Sequence, residues 1–132
     1  MITPGIVRAL AEDLLDGVHQ PRDTYKLALY TAQAELSLDT TAYSPTHEVV
    51  GSGYVAGGVE LGDRQVAHED GHAVLRFADA VWPRTTLRAR GALLYNQTAQ
   101  RAMAVFDFGR EVIATNGPFL IEFKDGTAIR LT

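Results

Sequence analysis

The sequence contains no cysteine, which excludes disulfide bonds, thiolate metal ligands and a thiol nucleophile. A chain of 132 residues with 46% hydrophobic residues does not depend on such cross-links. On folding it should remove roughly 65–70% of its extended surface from water, which is enough to form a stable core. We therefore expect one domain, residues 1–132, that needs no metal or other cofactor.

Lysine and long uncharged runs are also scarce. Twelve Lys and Arg oppose sixteen Asp and Glu for a net charge of −4, and only Lys26 and Lys124 are lysines. This balance argues against a general nucleic-acid-binding protein. The longest uncharged run, from Val49 to Val59, is about half the length of a membrane-spanning helix. The first residues also lack the apolar core of a signal peptide. We expect neither a nucleic-acid nor a membrane partner.

A helical pattern occurs only between Pro4 and Asp16. Thr3 is suited to cap the first turn, and Gly17 can take the left-handed conformation that ends a helix. So short a helix is marginal alone, so its apolar face must pack on its own domain or on a neighbouring subunit. That face includes Ile6, Leu10 and Leu14, which would contact a neighbouring subunit in the second case.

From residue 24 onward the apolar pattern has the period of a β-strand, interrupted by turn residues about every ten positions. Asp70-Gly71, Asp125-Gly126 and Asn116-Gly117-Pro118 predict tight turns and sequential antiparallel pairing. We expect a mainly β domain: an antiparallel β-sandwich or jelly roll of seven or eight strands at 24–132, with the helix at 1–17. The predicted strands are 25–31, 53–61, 65–68, 73–78, 86–95, 102–108, 119–123 and 128–131.

Two local motifs resemble known functional signatures. Residues 68–72 read His-Glu-Asp-Gly-His, which matches the zinc-protease pattern. That chemistry requires a helix, whereas the central Asp-Gly between two strand patterns predicts a hairpin. Residues 51–58 are glycine-rich like a phosphate-binding loop, but a strand pattern follows them instead of a helix. We expect these glycines to allow bulges or close backbone approach, and we assign no catalytic, cofactor-binding or metal-binding residue.

Two enzyme or ligand-binding alternatives remain open. Asp107 lies in an apolar strand and is the carboxylate whose pKa we most expect to be raised, as a small carboxylate hydrolase would need. The simpler interpretation is an aspartate that accepts a turn amide or pairs with arginine. Trp82 and the five tyrosines could form the sugar platform of a lectin-like carbohydrate-binding module, although Trp82 between Val81 and Pro83 is typical of a core residue.

Arg88 and Arg90 lie on one face of the strand predicted at 86–95. A solvated sheet face explains such arginines, and a protein interface is the alternative because arginine beside apolar surface is common where proteins meet. The predicted interface residues are therefore Ile6, Leu10 and Leu14 as the anchor and Arg88 and Arg90 as the rim.

Several segments occur in an order typical of one group of proteins. The two longest segments are Glu-Val-Val-Gly-Ser-Gly-Tyr-Val-Ala-Gly-Gly at 48–58 and Leu-Arg-Ala-Arg-Gly-Ala-Leu-Leu-Tyr-Asn at 87–96. The other segments are 25–31, 80–82, 104–109 and 116–119. This set resembles small structural proteins of tailed bacteriophages and prophages. The resemblance covers most of the chain after residue 24. It implies a virion component with a β-sandwich or jelly-roll fold and no catalytic residues.

Within that group we expect a capsid cement or decoration protein that binds and stabilises the phage head shell. The implied partners are the major capsid protein and further copies of the chain itself, as a homodimer or other homo-oligomer. Its location would be the virion, assembled in the bacterial host cytoplasm. A tail or neck component is the alternative role within the same group.

Overall fold

The computed structural model describes residues 1–131. Its strands form two antiparallel sheets, of five strands in the order β1-β7-β6-β2-β3 and of three in the order β4-β5-β8. The predicted mainly β domain with one helix near the N-terminus is confirmed, and the two sheets agree with a sandwich. The elements are β1 (Gly5–Ile6), α1 (Ala9–Leu15), β2 (Tyr25–Tyr30), β3 (Val59–Glu60), β4 (Gln65–Glu69), β5 (His72–Arg76), β6 (Ala80–Asn96), β7 (Arg101–Ile121) and β8 (Thr127–Leu131).

The centre of the fold is the long hairpin of β6 and β7. It begins at the pair Asn96 and Arg101 and extends to the pair Ala80 and Ile121. Strand β2 pairs with the half of β6 nearest the turn, and nearly all its residues are buried. Phe77, which directly follows β5, and Ile129 of β8 belong to the same hydrophobic core as the residues of the five-stranded sheet. The two sheets therefore share one interior.

The predicted helix begins too early. Gly5 and Ile6 form strand β1 on the edge of β7, and α1 starts only at Ala9. The reason is that backbone N–H groups before the helix already have partners, as when Val7 N donates to Met103 O at 3.0 Å. The C-terminal prediction is confirmed, because Gly17 has a φ of +70° and its N–H donates to Leu14 O.

The predicted turn at residues 116–118 is wrong. Strand β7 continues through this segment, where two register shifts offset each other: Pro83 and Arg84 add one residue to β6, and Thr115 and Asn116 add one to β7. Asn116 uses its tolerance of positive φ, here +48°, to form a bulge instead of reversing the chain. The strands predicted at 102–108 and 119–123 are therefore parts of one strand.

The prediction of sequential pairing fails at the end of the chain. Asp125 and Gly126 turn the chain, with φ of +56° and +75°, but β8 pairs with β5 of the second sheet and not with the preceding strand. Phe77 N donates to Gly126 O at 3.0 Å and holds this turn against β5's end. The Asp70-Gly71 hairpin between β4 and β5 is confirmed. Of the strand predicted at 53–61, only β3 forms.

Candidate interaction surface

The predicted anchor residues of the helix do not form one exposed surface. Leu10 is 1% exposed in the chain's own core, Ile6 is half-buried beside β7, and Leu14 is partly exposed. Asp13 fixes α1 to β7 by accepting two hydrogen bonds from Arg101, at 2.9 and 3.2 Å. The helix therefore packs on its own domain, and Leu10 is not available as an anchor for another protein.

The two predicted rim arginines have different environments. Arg88 is exposed, and its Nη1 lies 3.4 Å from an oxygen of Glu111. Arg90 is half-buried and donates from Nε to Asp107 Oδ1 at 3.0 Å, and that same oxygen accepts the Gly109 N–H. The hydrogen bond from Arg90 and that backbone bond lower the pKa of Asp107, so the expected raised pKa is wrong.

The outer half of the β6–β7 hairpin presents a mixed apolar and basic surface, which we call the hairpin face. Val81 and Leu120 are directly opposed across the strands, and so are Arg88 and Ile113. Directly opposed residues project from the same side of a sheet, and these four are exposed. The hairpin face consists of Val81, Arg84, Thr86, Arg88, Ile113, Thr115 and Leu120.

The paired bulges keep the hairpin face intact along the strands. Around the bulge in β6, Trp82, Thr85 and Leu87 are buried and the residues between them are exposed, so the alternation changes phase at Pro83 and Arg84. Arg84 Nε donates to Asn116 Oδ1 at 2.7 Å, which links the two bulges to each other. Sequence reasoning missed Val81, Ile113 and Leu120 because it treated residues 116–118 as a turn. A period-2 pattern with one inserted residue in each strand would have revealed them.

A second polar cluster fixes the long segment between β2 and β3. Glu48 is 7% exposed and accepts hydrogen bonds from the hydroxyls of Tyr43 and Tyr54 and from Gly57 N, the last at 2.8 Å. Tyr95 on β6 donates to Gly57 O at 2.6 Å. These bonds join three parts of one loop to the sheet. The carboxylate is enclosed by its own chain, so its role is to hold the loop in place.

The phenols of this cluster stay protonated at all ordinary pH values. Burial, followed by the charge of Glu48, raises the pKa of Tyr95 to about 12. Burial and the hydrogen bond to Glu48 raise the pKa of Tyr43 and Tyr54 as well. Every phenol therefore remains a donor, as the carboxylate and the loop carbonyl require.

The glycines of residues 51–58 serve close packing. A Cβ on Gly58 would lie 1.9 Å from Leu27 O, and one on Gly53 would lie 2.0 Å from Arg84 O. Ser52 O accepts the N–H of Thr86, so the loop lies directly against β6. The expectation of close backbone approach is confirmed.

The residues of the remaining sequence motifs are buried or half-buried, or lie on the β4–β5 hairpin. Trp82 is buried and packs edge-on against Phe119, and the five tyrosines are buried or half-buried, so these residues form no exposed sugar platform. His68 and His72 lie on the two strands of the β4–β5 hairpin, as predicted. Among residues 1–131, no group of three His, Asp or Glu residues could hold a metal ion.

A buried amide organises the segment before β2 and the start of the β6–β7 turn. Asn96 Oδ1 accepts the Ala99 N–H at 3.0 Å, which identifies the other side-chain atom as the nitrogen. That nitrogen contacts Asp23 Oδ2 at 2.8 Å and His19 Nδ1 at 3.1 Å. Because an amide nitrogen only donates, His19 Nδ1 accepts and the ring proton resides on Nε2.

We expect His19 to make stability depend on pH between about 5 and 8. Burial lowers its pKa despite Asp13 and Asp23 nearby, so the unfolded chain binds more protons and the free energy of unfolding falls on acidification. Asp23 and Asp107 have lowered pKa values and lose their contribution only at lower pH. Urea denaturation of wild type and His19→Gln across this range measures the effect. The variant should show the flatter pH profile, and identical slopes would contradict the assignment.

Comparisons with protein-family models, with curated proteins and with solved structures each found no match. Within residues 1–131, no helix has both the length and the apolar character needed to cross a membrane. The surface itself therefore provides the basis for a functional proposal.

Proposed function

We propose that this protein is a structural component of a bacteriophage virion that binds the head shell as a cement or decoration protein. The hairpin face is the contact surface, and the major capsid protein is the partner. The observation that carries the proposal is the exposed apolar pair Val81 and Leu120, in line with Ile113 and flanked by Arg84 and Arg88.

The composition of the hairpin face supports a protein partner. Specific interfaces combine an apolar centre, which is buried on binding, with polar groups and arginine at the rim. Arg88 has only a long, exposed contact with Glu111, and such a surface ion pair contributes little to stability. The guanidinium can therefore exchange that contact for an acceptor on a partner at small cost.

The segments that resemble phage structural proteins also contact one another. Glu48, Tyr54 and Gly57 all belong to the segment at 48–58, and that segment is bound to Tyr95 in the segment at 87–96. Together they build the loop and sheet that carry the hairpin face.

Binding to a shell stabilises it by mass action. A protein that binds the assembled lattice but not its released subunits adds about 2.7 kcal/mol per site at a hundredfold excess over its Kd. The proposal includes self-association, since shells are symmetric and small subunits commonly pair through identical surfaces. Self-association through a surface other than the hairpin face would place two shell contacts in one oligomer.

The test adds purified protein to heads that lack it and measures attachment and the temperature at which the heads rupture. Wild type should bind and raise the rupture temperature. The double variant Val81→Asp, Leu120→Asp should bind at least about tenfold more weakly, because two apolar contacts of roughly 1.5–3 kcal/mol each are lost. Val50→Asp is the matched control, since Val50 is 95% exposed on a loop outside the hairpin face.

The outcomes separate the possible roles. Light scattering on each variant distinguishes lost self-association from lost shell binding. Unchanged attachment of the double variant would remove the hairpin face from the proposal. Attachment to tails or necks instead of heads would reject the cement role in favour of the tail or neck component.

A further inference from the structure

A cavity of about 110 Å³ lies where α1 approaches the second sheet. Its walls are almost entirely apolar, and Met103 of β7 is among them. Leu14, Val66 and Leu131, all partly or largely exposed, are also part of its lining, so the cavity is continuous with an apolar area of the surface. The lining residues are Leu10, Leu14, His19, Arg64, Val66, Ala73, Val74, Leu75, Met103, Ile129 and Leu131.

Two buried polar atoms on residues that line the cavity lack partners. His19 Nε2, which carries the ring proton because Nδ1 accepts from Asn96, is buried and finds no hydrogen-bond acceptor in the described chain. The same is true of Arg64 Nε. A buried donor without an acceptor is costly, and native structures rarely retain one without a reason. Both groups are donors, so the ligand that would satisfy them must supply acceptors.

Arg64 also carries a positive charge that no carboxylate neutralises. Among residues 1–131 no Asp or Glu lies within ion-pair distance of its guanidinium, which lies over the ring of Tyr25 with its central carbon 5.4 Å from the ring centre. Stacking on the ring orients the planar group but leaves its N–H donors unsatisfied by an anion. The charge and the two donors therefore favour an anionic acceptor.

We propose that this cavity binds a small branched aliphatic carboxylate. The aliphatic tail would occupy the apolar space beside Met103, and the carboxylate would accept from His19 Nε2 and Arg64. A carboxylate satisfies an imidazole N–H and a guanidinium simultaneously because it has two oxygens. This site is distinct from the hairpin face, and the inference does not depend on the proposed virion role.

The size of the cavity limits the tail. An apolar cavity of about 150 Å³ admits benzene, so a cavity of 110 Å³ suits a tail of about four or five carbons. Two sources present this chemistry: a free branched-chain acid such as 4-methylpentanoate, and the C-terminal leucine of a polypeptide. N-acetyl-leucine represents the second source.

The experiment observes the methionine methyl groups by NMR, with ¹³C-methyl methionine in the full chain. Met103 is 2% exposed and reports on the cavity, whereas Met1 is largely exposed and serves as the internal control. At pH 7.5, addition of 4-methylpentanoate should shift the Met103 signal in a saturable way, with a Kd of about 1 mM or below. The neutral 4-methylpentanamide should bind at least about tenfold more weakly.

Variants assign the contacts. Arg64→Gln should weaken carboxylate binding at least about tenfold, whereas Arg110→Gln, which changes an exposed arginine on β7, should not. Ala73→Leu should fill the cavity and abolish the Met103 response while the remaining spectrum stays folded. If that variant unfolds, the Arg64→Gln comparison alone decides.

Each result supports or overturns the proposal. Saturation by either acid supports it, and the stronger of 4-methylpentanoate and N-acetyl-leucine identifies the source. No Met103 shift up to about 10 mM would overturn the proposal. Equal affinity for acid and amide, or unchanged affinity in Arg64→Gln, would reject the carboxylate.

Discussion

Replacement of Glu48 by alanine should lower the free energy of unfolding by at least about 3 kcal/mol. The substitution removes one acceptor group and leaves three donors inside the protein without a partner: two tyrosine hydroxyls and the Gly57 N–H. Each such donor costs about 1–3 kcal/mol when it has no acceptor. Because the donors span one loop, the loss should also release that loop from the sheet.

Chemical denaturation measures this effect, and two further variants interpret it. Glu48→Gln keeps the shape but replaces one acceptor oxygen by a donor, so its loss should be intermediate. Glu60→Ala is the control because Glu60 is exposed on β3, and we expect it to stay within about 0.5 kcal/mol of wild type. A Glu48→Ala protein as stable as the control would show that the cluster does not hold the loop.

Gly58→Ala should prevent folding or cost more than about 4 kcal/mol. Gly58 has a φ of +85°, and an added Cβ would lie 1.9 Å from the backbone oxygen of Leu27. Both problems involve backbone atoms, so rotation of a side chain cannot relieve them. Strand β2 would have to move away from the loop, and β2 is central to the core.

Gly62→Ala is the matched control for this substitution. No atom lies within 4 Å of the Cβ that it would add, and its φ is not in the left-handed region. The variant should be neutral or slightly stabilising, because alanine reduces the freedom of the unfolded chain by about 0.4–1 kcal/mol. Expression and thermal denaturation compare the two proteins. Similar stability of the two variants would contradict the close approach of the loop to β2.

The fold class was predictable because alternation and turn residues are local signals. The Asp70-Gly71 hairpin shows this, since two adjacent strands and a two-residue turn specify each other. The pairing of β8 with β5 is not local. Asp125-Gly126 is the same dipeptide as Asp70-Gly71, but the pairing of β8 depends on where Ile129 can be buried in the core.

The functional surfaces were only partly predictable. Arg88 was identified from alternation, but its apolar neighbours became visible only when both bulges were known. Leu10 has the same pattern whether a helix packs on its own domain or on a partner, and contacts with the sheet decide between them. The burial of Glu48 has no sequence signature, because its three donors are up to nine residues away and are brought together by loop conformation.

The order of the strands has a consequence for synthesis of the chain. Gly5 of the first strand pairs with Val105, and β5 has a neighbour on one side only until β8 is complete. During synthesis β1 is therefore exposed without a partner until β7 emerges from the ribosome, and the β4–β5 hairpin has an open edge until β8 emerges. Such intermediates expose unpaired strand edges and are prone to aggregate. Rapid translation of β7 and β8 would shorten that interval, and a chaperone that holds the nascent chain would protect it.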